Sequence, residues 1–282
     1  MNSEKNCFIM GFPSAGKTTY LAALWHLLFN GDITQASPYK ISSMGDAHYL
    51  TQISTTWVNV QPINRTLLED QKESLSINVE RKEDGQKLKL ILPDLSGETF
   101  SNIYEKKKIS NSLYGAIQTA DTVLLFVNVE TINNISLISK LDPSIAGSVD
   151  TKPIERDKKL DPIAIKLIEL LQIVNKIKQG NRVRLALMLS AWDMIDEDVL
   201  PEDYVKEHMK ILWQFLNVNK KYFDVRYWGV SAQGGSIENE SDQEKLRDIS
   251  DPIDRIQIVN QNGNKSNDIT LPIFETLDSE DE

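Results

Sequence analysis

The chain is short of several residues on which function often rests. It has one cysteine, Cys7, so no intrachain disulfide can form, and this thiol falls in an apolar run where it serves as a small core residue. The three histidines, His26, His48 and His208, have no metal-ligand spacing, which argues against a histidine-based metal centre. Basic residues are in deficit: 31 Lys and Arg against 41 Asp and Glu leave a formal charge of −10. That balance disfavours nucleic acid or an anionic membrane surface as the main partner. No apolar run approaches membrane-spanning length and no leader-like segment stands at the start, so a cytoplasmic protein is expected. Arginine is scarce where a kinase lid would need it, since residues 130–160 hold only Arg156.

What the chain does have is enough apolar residue for a substantial core, at 40% hydrophobic over 282 residues. It also has one strong motif. Residues 11 to 18 read GFPSAGKT, a complete G-x-x-x-x-G-K-[ST] phosphate loop, with the apolar run Cys7–Met10 before it and a helical apolar stretch from Tyr20 to Phe29 after it. Gly11 and Gly16 permit the tight turn that aims the N–H groups of Ser14, Ala15 and Gly16 at phosphate oxygens. Lys17 supplies a point charge for the β- and γ-phosphates, and Thr18, beside Thr19, offers a hydroxyl to Mg²⁺. The helix starting at Lys17 adds the positive end of its dipole.

The rest of the chain alternates strand and helix. The first helix is expected to stop at Asn30-Gly31, with a further helix near 46–59 inside a polar stretch, 31–74. Leu75, Ile77 and Val79 alternate with polar residues, and Asp84-Gly85 reads as a two-residue hairpin turn leading to Leu88–Leu92. Thr122–Val129 and Arg182–Ser190 are continuous apolar strands, as in a sheet covered on both faces. Asp161 reads as a helix cap before Pro162, with Gly180 closing that helix. One helix is expected over 201–217, a last parallel strand over Phe223–Ser231, a short strand at Arg255–Val259 and a closing helix at Leu271–Leu277. The expected fold is a three-layer α/β/α sandwich of the P-loop NTPase type, mostly parallel, with one antiparallel edge hairpin. It forms a single domain over 1–277, with insertions at 31–74 and 130–160 and an unstructured acidic tail, 278–282.

Three short segments follow strands, where a nucleotide lies in such folds. Asp94-Leu95-Ser96-Gly97-Glu98 has the D-x-x-G form, Asp for Mg²⁺ through water and Gly N–H for the γ-phosphate. In Ser190-Ala191-Trp192-Asp193 the Asp193 carboxylate can accept both the N1–H and the exocyclic amine of guanine. Ser231-Ala232-Gln233 offers backbone to the guanine oxygen. Each has a plainer reading as strand-end or turn chemistry; their order along the chain carries the weight. Lys106–Lys108 reads as a solvated helix face, and Trp25, Trp213 and Trp228 as core.

At this point the chain resembles the Ras-like GTPases of the translation-factor-related (TRAFAC) class over residues 5 to about 235. GFPSAGKT, DLSGE, SAWD and SAQ stand for the phosphate loop, switch II, the base-reading element and the S-A-[KL] element. The run GKTTYLAALWH, the late Pro62-x-x-Arg65-Thr66 and Trp192 are most similar to the prokaryotic double-GTPases, a group associated with conflict and anti-phage systems and with partner modules encoded nearby. The resemblance implies a Ras-like G domain binding GTP or GDP with Mg²⁺, and a regulatory switch with a protein effector or activating partner. Thr18, Asp94 and Thr66 would attend the metal, and Lys17 and Glu98 the γ-phosphate and its attacking water. Arg65 would be a built-in arginine finger, and segments 55–70 and 94–105 would respond to the γ-phosphate. Thr55 and Thr56 are alternatives to Thr66. Ala191 replaces the usual Lys of the base-reading element, which leaves ATP open as an alternative substrate. A nucleotide-binding interaction module without hydrolysis, and a nucleotide-dependent dimer, also stay open.

Overall fold

Strand β1 (Lys5–Gly11) sends Cys7 and Ile9 into one buried apolar layer and Phe8 and Met10 into another. The period of two that places successive side chains on opposite faces thus sets the three-layer plan. β5 (Thr122–Asn128) repeats it, with Leu124 and Phe126 on the first face and Val123, Leu125 and Val127 on the second. β6 (Val183–Ser190) does the same with Ala186 and Met188 against Leu185, Leu187 and Leu189. Each such fully buried Leu or Phe contributes roughly 1.5–3 kcal/mol relative to exposure. This computed structural model describes residues 4–34, 38–43, 47–63, 74–93, 98–132, 158, 161–195 and 198–278.

The remaining strands are β2 (Tyr39–Ser43), β3 (Leu75–Arg81), β4 (Lys87–Leu92), β7 (Phe223–Ser231), β8 (Gln257–Val259) and β9 (Lys265–Ser266). The sheet order is β2-β3-β4-β1-β5-β6-β7-β8-β9. β4, β1, β5, β6 and β7 run parallel, and β1 lies between strands reached by crossovers in opposite directions. Its carboxyl end is therefore the topological switch point, where α/β sheets bind ligands.

On the face of Cys7 lie α1 (Lys17–Thr34), α2 (Ala47–Val58) and the last helix, α9 (Leu271–Leu277). The face of Phe8 is covered by α3 (Glu98–Lys106), α4 (Asn111–Thr119), α5 (Ile163–Ile177), α6 (Pro201–His208) and α7 (Lys210–Val218). α8 (Glu240–Arg247) follows the loop after β7. Residues 20–25 of α1 are buried without a break, because the sheet lies on one side and α2 on the other.

Several expectations need correction. The sheet has two antiparallel edges, β2-β3-β4 and β7-β8-β9, where one was expected. α1 does not stop at Gly31 but continues to Thr34. Asp84-Gly85 is not a two-residue turn. The Arg81 N–H donates to the Gln86 carbonyl, so this pair closes a loop over 82–85, with Gly85 at φ +70° donating back to the Arg81 carbonyl. Pro162, and not Asp161, occupies the cap position of α5, without a side-chain bond, and Asp161 accepts from the Tyr104 hydroxyl. The 201–217 helix is two helices, broken at Met209 where ψ is +44°. Lys107 has φ +56° and ends α3, so the lysine run terminates a helix instead of forming a face. Trp25 and Trp228 are core, whereas Trp213 is half-buried with its indole N–H on Glu202 at 3.2 Å. Asp278 is tied to Arg81 at 2.9 Å, while 279–282 lie outside the described residues.

Candidate functional site

The phosphate loop is shaped by close approaches that explain its composition. A Cβ on Gly11 would sit 2.8 Å from the Phe126 carbonyl oxygen. Gly16, at φ +85°, would meet Ser190 Cβ and Oγ at 2.7 Å. Neither space admits a side chain. Ser14 adopts φ +61°, a left-handed conformation that tightens the turn. Ser190 Oγ donates to the Ala15 carbonyl at 3.0 Å and Asn128 Nδ2 to the Ser14 carbonyl at 3.3 Å. With these carbonyls held against the strand ends, the trans peptide turns the Gly16 N–H the opposite way.

Lys17 is 3% exposed, and its ammonium donates to the carbonyls of Gly11 at 2.7 Å and Phe12 at 2.8 Å. These contacts draw the long side chain back over its own loop. Lys17, Thr18 and Thr19 open onto a cleft of about 460 Å³, together with Ser14, Ala15 and Gly16.

At its other end the cleft meets the segments after β6 and β7. Ala191 takes φ +56° and a single 3-10 turn follows at Trp192–Met194. The Trp192 indole is 7% exposed and lies on Gly229, where a Cβ would come within 2.5 Å of the ring, with Tyr204 edge-on at 5.4 Å. This core anchor fixes the turn and leaves Asp193 facing the cleft. Ser231 Oγ donates to Asp193 Oδ1 at 2.5 Å and accepts from the Gly234 N–H at 3.1 Å. Gln61, Pro62 and Ile63 also line the cleft, within the 55–70 segment expected to respond to the γ-phosphate.

The cleft therefore gathers Ser14, Ala15, Gly16, Lys17, Thr18, Thr19, Asp193 and Ala232. Gly11 and Ser231 stand behind it, supporting Lys17 and Asp193. Trp192 is placed in the core, away from the cleft. Glu98, the exposed first residue of α3, lines a neighbouring cavity of about 420 Å³ with Phe12, Pro13 and Lys158. Arg65, Thr66, Asp94 and Gly97 lie outside the described residues. The alternatives Thr55 and Thr56 sit on α2 with hydroxyls bonded to the carbonyls of Thr51 at 2.9 Å and Gln52 at 3.0 Å. Sequence reasoning missed the roles of Asn128 and Ser190; the signal was a polar residue closing each apolar strand. Gln61–Ile63 fall inside the 55–70 segment that the resemblance marks as responsive to the γ-phosphate, and the structure puts them on the wall of the cleft.

Burial pushes the Cys7 thiol well above its ordinary range, consistent with a purely packing role. Among the described residues no helix is long and apolar enough to cross a membrane.

Among solved structures, the chain is similar to the S. cerevisiae Ski7 GTPase-like domain bound to GTP, at 17% identity and TM-score 0.41, covering 85% of this chain and 45% of that one. The same domain bound to GDP and inorganic phosphate gives 17% identity, TM-score 0.43 and the same coverages, 85% and 45%. A structure of sup35 complexed with GDP gives 17% identity and TM-score 0.36, with 84% and 39% covered. The chain thus spans less than half the length of these solved chains. No curated protein matches it. The Double-GTPase 1 family matches residues 8–276, from β1 into α9, and the chain belongs to this family.

Proposed function

We propose that this chain is a GTP-binding, GTP-hydrolysing switch that works with Mg²⁺. One observation carries the reading: a single cleft has the Lys17 phosphate loop at one end and the Asp193 carboxylate, aligned by Ser231, at the other. A carboxylate so placed accepts two donors from guanine, where adenine presents no matching pair. Family membership supports the same assignment. In hydrolysis a water oxygen attacks the γ-phosphorus, the bond to the bridging oxygen breaks, and GDP and inorganic phosphate leave. Lys17 counters the charge growing on the bridging and γ-oxygens, and Glu98 orients the water.

The donor set suits Mg²⁺. Among the described residues no three acidic, histidine or cysteine groups cluster to hold a metal, and Thr18 lines the cleft beside Lys17. A cation that keeps several waters and takes few protein ligands fits that setting. Thr18, with Asp94 and Thr66, would hold it, and it would supply positive charge to the phosphate oxygens. Arg65 remains the residue that would add an arginine finger. An effector or activating partner, nucleotide-dependent dimerisation, a cytoplasmic setting and a role in a prokaryotic conflict system extend this reading on the strength of the sequence resemblance.

A second reading, nucleotide binding without hydrolysis, is favoured by the position of Glu98 in the adjoining cavity. Binding and turnover of GTP and ATP with Mg²⁺ test the proposal, for the wild type, Lys17→Ala and Asp193→Ala. GTP preference that survives Asp193→Ala removes the base assignment, and unchanged binding and turnover in Lys17→Ala removes the whole. Single-turnover hydrolysis by Glu98→Gln separates the two readings, since an unchanged rate leaves Glu98 without a catalytic part.

A further inference from the structure

The end of α2 is held against the base side of the cleft by contacts that helix packing alone does not require. Trp57 is fully buried, and its indole N–H donates to the carbonyl of Ala232, in the loop after β7, at 2.9 Å. Arg255, itself 4% exposed, stacks over the same indole at 4.6 Å and donates to the Val58 carbonyl at 3.3 Å. The Arg255 backbone also supports the base loop from behind, since a Cβ on Gly234 would fall 2.4 Å from its carbonyl oxygen. Arg247, from α8, donates to the Asn59 carbonyl at 3.3 Å. Two guanidinium groups thus meet carbonyls at the negative end of the helix dipole.

Immediately after this docking point the chain makes a sharp exit. Val60 is fully buried yet adopts φ +56°, a conformation that β-branched residues avoid, and its N–H closes onto the Trp57 carbonyl at 3.0 Å. Such strain persists only where the surroundings over-determine it. The exit delivers Gln61, Pro62 and Ile63 to the cleft wall. Trp57 therefore touches the base loop through its indole and closes the turn into the cleft wall through its backbone carbonyl.

We propose that Trp57 is a positioning residue for the nucleotide. By holding the Ala232 carbonyl and the end of α2 together, it makes the base loop and the Gln61–Ile63 wall move as one body. This rests on the nucleotide reading above, and it adds a route from base recognition to the segment beyond residue 63 that does not pass through the γ-phosphate. Trp57→Phe keeps a ring beneath Arg255 but leaves the Ala232 carbonyl without its donor. Trp228→Phe removes the same bulk from the core at an indole whose N–H has no partner among the described residues, and so controls for lost volume.

Calorimetric titration of GDP, GTP and ATP, with melting curves, reads both effects. Trp57→Phe should weaken GDP and GTP together by about five- to tenfold and narrow the preference over ATP. Trp228→Phe should lower the melting temperature with affinities and preference unchanged. Unchanged nucleotide affinities in a folded Trp57→Phe protein would overturn the positioning role while leaving the nucleotide reading intact. A wild type that binds no guanine nucleotide would end both. Hydrogen exchange on the wild type settles the matter even if the variant does not fold. GDP should protect residues 57–63 and 231–235 in parallel, and protection of 231–235 alone would refute the coupling.

Discussion

The Ser231 hydroxyl donates to the Asp193 carboxylate at 2.5 Å, joining the end of β7 to the segment after β6, where Asp193 lines the cleft. A charge-assisted bond of this length fixes one carboxylate oxygen and so orients the other. Ser231→Ala should weaken guanine nucleotide about tenfold by freeing that rotation, while ATP binding changes little. Titration calorimetry with both nucleotides checks this, and equal losses for the two would detach Asp193 from base reading.

Gly16 offers a second test. At φ +85° and with Ser190 2.7 Å from where a Cβ would lie, Gly16→Ala should abolish measurable nucleotide binding. The sheet should survive, because the loop lies at its rim. Circular dichroism together with nucleotide titration separates the two effects, and wild-type affinity would show that the loop can relax.

Gly229 is under the Trp192 ring, with no room for even a methyl group. Gly229→Ala should destabilise the protein by about 1–3 kcal/mol through overpacking and shift the turn that carries Asp193. Trp192→Leu added to Gly229→Ala should recover part of the stability. Urea denaturation of the single and double variants decides it, since additive losses would rule out the steric link.

His26 gives a pH dependence. It lies half-buried on α1 at 5.3 Å from the Trp57 ring, and burial pulls its pKa below the ordinary value, with Arg255 adding to the effect and Asp251 opposing it. The unfolded chain takes up the proton near pH 6.5, about one histidine's ordinary value, and the folded chain only at lower pH. The stabilisation is therefore complete above about pH 6.5 and is lost as pH falls through that window. Melting temperatures at about pH 7.5 and about pH 5.5 should differ more in the wild type than in His26→Gln. Equal shifts would remove His26 as the source.

The parallel strands were legible because both faces are buried, and Thr122–Asn128 and Val183–Ser190 read as unbroken apolar runs. β2 was not legible. Its burial falls off from Tyr39 to Ser43, so little apolar pattern betrays an edge strand that depends on β3 for its hydrogen bonds. The break at Met209 was hidden for the opposite reason. Val205, Met209, Leu212 and Leu216 keep helical spacing across it, and no Gly or Pro marks the change.

Residues 11 to 18 carried the expectation of a phosphate site from sequence alone, because a turn that aims consecutive amides at an anion needs glycine, lysine and a hydroxyl at fixed local spacing. Only the tertiary structure decided that Trp57 meets Ala232, 175 positions apart in the chain, and that Trp192 turns inward while Asp193 faces the cleft. Those outcomes depend on where helices settle against a sheet, a sum of many burial terms that no local spacing records.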